Sequence, residues 1–360
     1  MNFLQKNYSH VPVMGYAPAL DGLRAIAVML VLLTHANFQL GANGILGVDI
    51  FFALSGFLIT TLLMEEYRKY GKIHFGAFYI RRTFRLFPAL YLLLIFVLCY
   101  LFIYPVDAEK KYSILTEIWS SALYVNNISW TWGWGKDGFL LGHTWSLANE
   151  EQYYLVWPFV LLLIFYSKKN RIVLYLLATI VMLVLLWRLT SNVNQVFSYL
   201  WADSIFIGSF FAFFRYEFYG VRVNQWILLF FLGLILFVGI FPVKWYMNIY
   251  QTGGRSFIGI ITGILIVGIL QIKNGFLVKF LSNQIIVFIG KISYSLYVWH
   301  VPIFRLFKWH STWPPHISFI LKFVITFLMA SVSYYLLEKK LTKVGRRLSD
   351  NYILSKSTKY

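Results

Sequence analysis

A succession of apolar segments, each about as long as a bilayer crossing, is the feature that most constrains this chain. One crossing needs ~20 predominantly apolar residues in a helix. Ten segments reach or approach that length, and they lie at residues 20–38, 45–64, 84–104, 149–166, 171–188, 196–214, 225–242, 254–271, 283–304 and 316–337. The sequence therefore predicts an all-α fold, a polytopic membrane bundle of about ten transmembrane helices.

Composition supports a membrane protein and excludes several other classes. The 360 residues are 59% hydrophobic and only 13% charged, with a mean hydropathy of +0.66, which is outside the range of soluble domains. The first apolar segment lacks a small-residue cleavage pattern, so it is predicted to be retained. The single cysteine, Cys99, excludes an internal disulfide framework, and no metal site is expected. We predict one transmembrane domain at 1–345, a cytoplasmic tail at 346–360 and no appended soluble domain.

Positive charge is distributed unequally between the two sets of loops. Lysine and arginine accumulate on the side of the termini, at Arg68, Lys69, Lys72, Arg81, Arg82, Arg85, Lys168, Lys169, Arg171, Arg215, Arg222, Lys273, Lys279, Lys291, Lys339, Lys340, Lys343, Arg346 and Arg347. Fewer lie in the opposite loops, at Lys110, Lys111, Lys136, Lys244, Arg255, Arg305 and Lys308. The positive-inside rule then predicts cytoplasmic termini. This topology, together with anionic lipid headgroups of the bilayer, explains the net charge of +18 without a nucleic-acid partner.

The first span carries an ionisable group near each end, Arg24 and His35. Eleven residues separate them, so they project from nearly the same helix face about 16 Å apart. Charged groups at membrane depth are costly and are usually functional. The structural alternatives are an Arg24 paired with Asp21 at the membrane interface and a His35 that is merely hydrogen-bonded in the core.

Further titratable residues are predicted at the outer side of the membrane. Asp49 opens the second span at a depth similar to that of His35, where a carboxylate would orient the imidazole for general base catalysis. His143, Glu150 and Glu151 form a second cluster at the mouth of the fourth span. The alternatives are that Asp49 interacts with the helix dipole and that at least one of the two glutamates stabilises the first turns of its helix.

Three arginines, Arg81, Arg82 and Arg85, precede the third span at its cytoplasmic end. Arg81 and Arg85 share a helix face, and guanidinium groups suit phosphate oxygens well. The positive-inside rule alone is the alternative explanation. Of the connections, residues 65–83 are predicted to form an amphipathic helix on the cytoplasmic face, and residues 105–148 the largest outer loop.

Two features of the last spans are interpreted structurally. His300, near the outer end of the ninth span, is expected to contribute to packing. The small residues Gly259, Gly263 and Gly268 are expected to form a helix contact surface.

Five blocks resemble the membrane acyltransferase-3 family, and they cover residues 21–35, 47–60, 81–88, 143–158 and 293–302. The resemblance implies ten transmembrane helices and transfer of an acyl group, usually acetyl, from cytoplasmic acyl-coenzyme A to a hydroxyl on the far side. The family's essential arginine and histidine correspond to Arg24 and His35. Its double-arginine motif corresponds to Arg81, Arg82 and Arg85, and its His-x-Trp-Ser-Leu-x-x-Glu block to His143–Glu150, followed by Glu151. Tyr153 stands where phenylalanine is common.

The residues and the resemblance together predict one reaction. Arg81, Arg82 and Arg85 would hold the phosphates of acetyl-coenzyme A, with Arg24 at the entrance to the bundle. His35, oriented by Asp49 or by Glu150 and Glu151, would deprotonate the acceptor hydroxyl or would itself be acylated.

The predicted acceptor is a surface glycan such as an O-antigen or capsule sugar, with a small molecule as the alternative, at the bacterial inner membrane. Without an appended esterase-like domain, transfer would be completed within the membrane domain or passed to a separate partner. A transporter or flippase is the rival class, and it would release no coenzyme A.

Overall fold

A computed structural model describes most of the chain, and all of its regular secondary structure is helical in the described residues. These residues are 10–36, 43–134, 140–167, 179–184, 186, 202–217, 219–221, 223–241, 249–272, 275–310 and 312–357.

The α-helices whose bounds are defined in the described residues are numbered in chain order. They are α1 Pro18–His35, α2 Leu46–Tyr70, α3 Phe75–Ile103, α4 Ala108–Ala122, α5 Asn126–Thr131, α6 Trp145–Ser167, α7 Asp203–Glu217, α8 Gln225–Ile240, α9 Arg255–Gln271, α10 Phe276–Leu281, α11 Gln284–Lys291, α12 Ser293–His310, α13 Pro315–Ser333 and α14 Lys339–Ser357. A 3₁₀ turn, Gly142–Thr144, precedes α6. Turns of π geometry, Tyr250–Gly254 and Tyr334–Glu338, precede α9 and α14.

The chain separates into two compact units. The first unit contains Met1–Ile73 and Asn149–Ser293, and the second contains His74–Ala148 and Tyr294–Tyr360.

Several of the predicted spans coincide with long apolar helices. Five helices in the described residues are long and apolar enough to cross a membrane, namely Pro18–His35, Leu46–Tyr70, Phe75–Ile103, Thr252–Gln271 and Pro315–Lys356. The pair Gln284–Lys291 and Ser293–Lys308, bent by 65°, would make a sixth. The helical membrane fold is therefore confirmed. Most of the predicted span 171–188 and the beginning of 196–214 lie outside the described residues, so the number of ten and the cytoplasmic termini stay predictions.

One predicted connection is wrong in detail. Residues 65–83 do not form one interfacial helix. Instead α2 continues to Tyr70, Gly71 ends it in the left-handed conformation at φ 68°, and α3 begins at Phe75. Glycine is the usual residue at this position because it has no Cβ to clash.

The predicted outer loop 105–148 contains α4, which returns alongside α3. The Tyr91 hydroxyl donates to the Ala122 carbonyl at 3.0 Å, and the rings of Phe87 and Tyr124 are 5.4 Å apart. Since α3 extends to Ile103, these contacts lie well back from its end. The beginning of this connection is therefore helical and packs along α3, and its place on the outer side of the membrane stays a prediction.

The first unit is held together by close helix contacts around an apolar core. Glycines of α2 and α7 make reciprocal contacts: Gly56 lies against the Ile205 carbonyl and Gly208 against the Ala53 carbonyl. A Cβ at either glycine would overlap the facing backbone, so small residues permit this approach. The predicted contact surface of α9 is also confirmed, because Gly259 faces Ser204, Gly263 faces Phe211 and Gly268 faces Leu228.

Replacing Gly56 or Gly208 by valine is expected to destabilise the first unit by at least about 1–3 kcal/mol, the usual cost of overpacking. The facing atoms are backbone and cannot rotate away. The melting temperature of the detergent-solubilised protein should fall for both variants. Gly233→Val in α8 is the matched control, because a Cβ there meets no atom within 4 Å. An equal fall for the control would show that close α2–α7 packing does not limit stability.

The second unit contains α3, α4, α5, α12, α13, α14 and the 3₁₀ turn. Residues 346–357, predicted as part of a tail, belong to α14, which packs along the beginning of α3. Glu117 of α4 fixes the segment before the 3₁₀ turn, since its Oε2 accepts hydrogen bonds from the backbone N–H groups of Leu140 at 2.9 Å and Leu141 at 2.7 Å. This backbone anchor determines where the turn that carries His143 lies.

Candidate active site

The residues predicted to act in catalysis or donor binding divide between the two units. Arg24, His35, Asp49, Glu150 and Glu151 belong to the first unit. The others, His143, Arg81, Arg82 and Arg85, belong to the second.

His35 is the last residue of α1, and its side chain is exposed. Its Nδ1 lies 3.0 Å from the Val31 carbonyl oxygen. Because a carbonyl only accepts, Nδ1 carries the hydrogen, and the lone pair of the neutral ring is on Nε2. The orienting contact that the sequence assigned to Asp49 or to Glu150 and Glu151 is thus supplied by the backbone of the same helix.

Asp49 does not lie at the depth of His35. Gly44 packs against Leu30 and Gly47 against Ala27, so α2 runs antiparallel to α1. Asp49, two residues beyond Gly47, is therefore near the level of Ala25, about 15 Å of helix rise from His35. The expectation of a shared depth is wrong because Gly44, just before α2, already lies against Leu30, more than one turn before the end of α1.

The carboxylate of Asp49 belongs to a buried network instead. Its Oδ1 accepts from Arg255 Nε at 3.2 Å and lies 3.1 Å from Arg255 Nη2, and Ser204 donates to it at 3.3 Å. Tyr250 donates its hydroxyl hydrogen to Oδ2. The side chains of Asp49 and Arg255 are 0% and 2% exposed. The network therefore joins α2, α7 and the start of α9 through charge.

Sequence reasoning missed most members of this network. Arg255 was assigned to an outer loop but is the first residue of α9, and its guanidinium lies 5.1 Å from the centre of the Tyr250 ring. Asp203 is buried nearby and accepts a hydrogen bond from Ser256. An ionisable residue at the edge of an apolar segment was the available signal, since such residues are rare without a partner.

Glu150 lies deeper along α2 than the sequence predicted. Its Oε1 accepts from the Ser55 hydroxyl at 2.9 Å, and its Oε2 from Tyr154 at 3.4 Å. Ser55 is eight residues beyond Gly47, so Glu150 lies about 24 Å of helix rise from His35. Glu151 is the next residue of α6 and is half-buried. The predicted grouping of these glutamates with His35 at one end of the bundle is not met.

Arg24 forms the local pair that was the structural alternative. Its Nη1 lies 2.7 Å from Asp21 Oδ1, and Tyr16 donates to the other carboxylate oxygen at 2.8 Å. The Arg24 side chain retains 20% exposure. It can therefore be both fixed by Asp21 and reached by a ligand.

The three arginines of the second unit lie in the first part of α3. Arg81 donates to the Ser349 hydroxyl of α14 at 2.5 Å, and the Arg82 guanidinium lies 5.9 Å from the centre of the Phe78 ring. Arg85 is exposed, whereas Arg81 and Arg82 are half-buried. Together they concentrate positive charge along five residues of helix, 81–85.

His143 lies in a buried aromatic cluster with His300, which the sequence assigned to packing. Its ring centre is 5.2 Å from that of His300 and 5.5 Å from that of Tyr297. His143 Nε2 is 3.0 Å from the Val298 carbonyl, and the Tyr297 hydroxyl donates to the His143 carbonyl at 2.9 Å. These contacts hold the 3₁₀ turn against α12 and agree with a structural role for His300.

The described geometry supports two kinds of chemistry. His35 is an exposed imidazole with its basic nitrogen defined, which suits proton abstraction. The arginines of α3 suit a polyanion.

Comparison with known proteins shows which family the chain belongs to. Residues 18–337 match the sequence profile of a family described as an acyltransferase domain. A Staphylococcus aureus (strain COL) protein with the provisional name O-acetyltransferase is 32% identical over 372 residues, which cover 94% of this chain and 59% of that protein. The peptidoglycan O-acetyltransferase of Listeria monocytogenes is 30% identical over 359 residues, covering 92% of this chain and 56% of its own length.

A Bacillus subtilis (strain 168) protein, provisionally named a peptidoglycan O-acetyltransferase, is 30% identical over 375 residues. The chain spans 56–59% of the length of these relatives. No solved structure matches it. The profile match extends over residues 18–337 of 360, and the described residues contain five helices long and apolar enough to cross a membrane, so the chain is a membrane protein that belongs to this acyltransferase family.

Proposed function

We propose that this protein is an O-acetyltransferase of the bacterial plasma membrane. It would transfer an acetyl group from cytoplasmic acetyl-coenzyme A to a hydroxyl group of a cell-surface glycan. Family membership and the names of the relatives support the acetyl transfer. Two of those names specify peptidoglycan, which joins O-antigen and capsule sugars as a candidate acceptor.

The observation that carries the proposal is the hydrogen bond between His35 and Val31. A general base must present a lone pair to the hydroxyl it deprotonates. The Val31 carbonyl selects the tautomer with that lone pair on Nε2 and fixes the ring plane. His35 is exposed at the end of α1, so a substrate can approach it.

In the proposed reaction, Nε2 of His35 takes the proton of the acceptor hydroxyl as its oxygen attacks the thioester carbonyl. An ester C–O bond forms and the C–S bond breaks. The sulfur leaves as the thiolate of coenzyme A and receives the proton from the imidazolium, which returns His35 to its neutral state. The pyrophosphate and the 3′-phosphate of the donor would lie against Arg81, Arg82 and Arg85, with Arg24 near the entrance to the first unit.

Asp49 has a different role in this proposal from the one its sequence position suggested. Because its carboxylate is engaged by Arg255, Tyr250 and Ser204, we assign it to holding α2 and α9 together rather than to orienting His35. Glu150 and Glu151 would likewise act away from the proton transfer.

Coenzyme A release tests the proposed function directly. The purified protein in nanodiscs is expected to release coenzyme A from acetyl-coenzyme A only when a glycan acceptor is added. Peptidoglycan fragments, O-antigen and capsule fractions are supplied separately, and free thiol is measured over time. Mild alkali should remove the acetyl group from the glycan product, because it hydrolyses O-acetyl esters.

Two results would contradict the proposed function. If the protein binds no acetyl-coenzyme A and releases no thiol with any acceptor fraction, the enzymatic assignment is wrong. Acceptor movement across sealed vesicles without thiol release would indicate a transporter or flippase instead.

A further inference from the structure

The segment before α1, residues 11–17, is held by side chains of two other helices of the first unit. Its backbone makes three hydrogen bonds with α2 and α7: Arg68 donates to the Val11 carbonyl at 2.6 Å, Arg215 donates to the Pro12 carbonyl at 2.9 Å, and Glu65 accepts from the Met14 N–H at 2.6 Å. Arg215 and Glu65 also pair with each other at 3.5 Å, with side chains that are 7% and 9% exposed. The backbone is therefore fixed two residues before Tyr16.

Tyr16 connects this anchored segment to Arg24 through one carboxylate. The Tyr16 hydroxyl donates to Asp21 Oδ2 at 2.8 Å, and Arg24 Nη1 donates to Asp21 Oδ1 at 2.7 Å. The Asp21 side chain is 8% exposed, and its backbone is packed closely as well, because a Cβ at Gly290 would overlap the Asp21 carbonyl. Tyr16 therefore limits rotation of the carboxylate that holds the guanidinium.

Arg24 is positioned by Asp21 and retains further donors. Among the residues that the structure describes, Asp21 is the only hydrogen-bonding or charged partner of the Arg24 side chain. This bond uses one of the five N–H donors of an arginine. Since the side chain is only 20% exposed, its other donors need water or a ligand as acceptor. The guanidinium is thus ordered before any ligand binds, which lowers the entropic cost of binding.

Tyr16 also holds a second cation, Lys291, the last residue of α11. Its Nζ lies 5.7 Å from the centre of the Tyr16 ring, which is within the range of a cation–π contact. Both Lys291 and Tyr16 are exposed, the latter at 68%. The cluster of Tyr16, Asp21, Arg24 and Lys291 therefore carries two positive charges and one negative charge, and both cations contact the same tyrosine directly or through Asp21.

We propose that Tyr16 is a positioning residue of the donor site, and that Arg24 and Lys291 contribute to binding the phosphates of acetyl-coenzyme A. The guanidinium and the ammonium both form charge-assisted hydrogen bonds with phosphate oxygens. This inference rests on the proposed function, which supplies the donor. It adds Tyr16 and Lys291 to the donor site and explains why residues 11–17 are anchored so firmly.

Anionic lipid headgroups carry phosphate too, and the order of the cluster favours the nucleotide. A lipid surface attracts exposed lysine and arginine side chains without requiring that they be held in place. Arg24 is instead mostly buried and bonded to a carboxylate that Tyr16 also holds. Such ordering indicates a ligand that binds in one orientation.

Tyr16→Phe tests the positioning role, because it removes one hydroxyl and keeps the ring beside Lys291. We expect the KM for acetyl-coenzyme A to rise about three- to tenfold with kcat unchanged. The Kd of coenzyme A, which has no acyl group, should rise by a similar factor in calorimetry. Tyr112→Phe is the matched control, since Tyr112 is 69% exposed in α4 of the second unit, and it should change neither value.

A double variant shows whether Tyr16 acts through Arg24. Arg24→Gln alone should weaken coenzyme A binding, and adding Tyr16→Phe to it should change the Kd less than twofold, because the group that Tyr16 positions is already absent. Factors that multiply in the double variant would overturn the positioning role. A Tyr16→Phe protein with a lower melting temperature and a lower apparent kcat, but an unchanged Kd and KM, would also overturn it while the proposed function stood.

Substitutions of Lys291 separate nucleotide from lipid. In nanodiscs of phosphatidylcholine alone, Lys291→Gln is expected to weaken coenzyme A binding at least threefold, and Lys291→Arg should restore it. Lys111→Gln, which removes an exposed lysine of α4, should leave the Kd unchanged. Weakened binding of Lys291→Gln to vesicles containing phosphatidylglycerol, with unchanged coenzyme A affinity, would assign this charge to lipid and overturn the proposal. If the unaltered protein neither binds coenzyme A nor releases it from acetyl-coenzyme A, the proposed function itself fails, and this inference with it.

Discussion

Replacing His35 by alanine is expected to lower acceptor-dependent coenzyme A release by about 10²–10⁴-fold, the usual contribution of a general base. The physical reason is the loss of the Nε2 lone pair that the Val31 carbonyl holds in place. The KM for acetyl-coenzyme A should change little, because Arg81, Arg82 and Arg85, which would hold its phosphates, are in α3. Initial rates of thiol release in nanodiscs give both quantities.

A second histidine provides the control for this experiment. His316 is exposed near the start of α13, and His316→Ala should retain the original rate. A His35→Ala protein that is folded and still releases coenzyme A at the original rate would remove His35 from the mechanism.

Direct transfer and an acetylated His35 predict the same loss of rate, so a separate measurement decides between them. Single-turnover reaction with radiolabelled acetyl-coenzyme A and no acceptor should leave no label on the protein if transfer is direct. Label that is present in the unaltered protein and absent in His35→Ala would establish the two-step route.

Contacts within one helix were largely predictable from the sequence. Asp21 and Arg24 are three residues apart, and their pairing was considered as the structural alternative before it was observed. The bond from His35 to Val31 spans four residues of α1 and follows from helix periodicity. Such contacts are determined by helical geometry alone.

Contacts between distant residues were not predictable in the same way. Asp49 and Arg255 are 206 residues apart, and Arg81 and Ser349 are 268 residues apart. Hydropathy and the positive-inside rule assign a residue to a loop or a span, but they do not say which helices are neighbours. Arg255 was consequently counted among loop charges although it is buried.

The depth of a residue within the bundle was predicted less accurately than the helix to which the residue belongs. Asp49 was correctly placed near the start of its helix, but the antiparallel packing of α2 on α1 brings Gly47 to the level of Ala27. A depth estimate based on apolar segments assumes that every span begins at the membrane surface. The return of α4 along α3 shows the same limit, because amphipathic segments that fold back against a span resemble loops in hydropathy.

Breaking the Asp49–Arg255 pair is expected to have the largest effect on stability. Asp49→Leu leaves the Arg255 guanidinium buried without its carboxylate, and Arg255→Met leaves the Asp49 carboxylate without its cation. Removal of one partner from a buried pair costs about 3–5 kcal/mol, mainly because the remaining charge is desolvated. Both single variants should therefore unfold at clearly lower temperatures in detergent, or fail to survive size-exclusion chromatography.

The double variant Asp49→Leu/Arg255→Met shows whether the single variants lose stability through an uncompensated charge or through altered packing. Replacing both charges by apolar side chains removes the desolvation cost as well as the attraction, so the double variant should be more stable than either single variant. Lys110→Met provides an exposed comparison, since the Lys110–Asp107 pair has side chains that are 44% and 58% exposed, and it should shift the melting temperature far less. Strictly additive losses in the double variant would mean that Asp49 and Arg255 stabilise the first unit through separate contacts, and the charge network would then not be what joins α2 to α9.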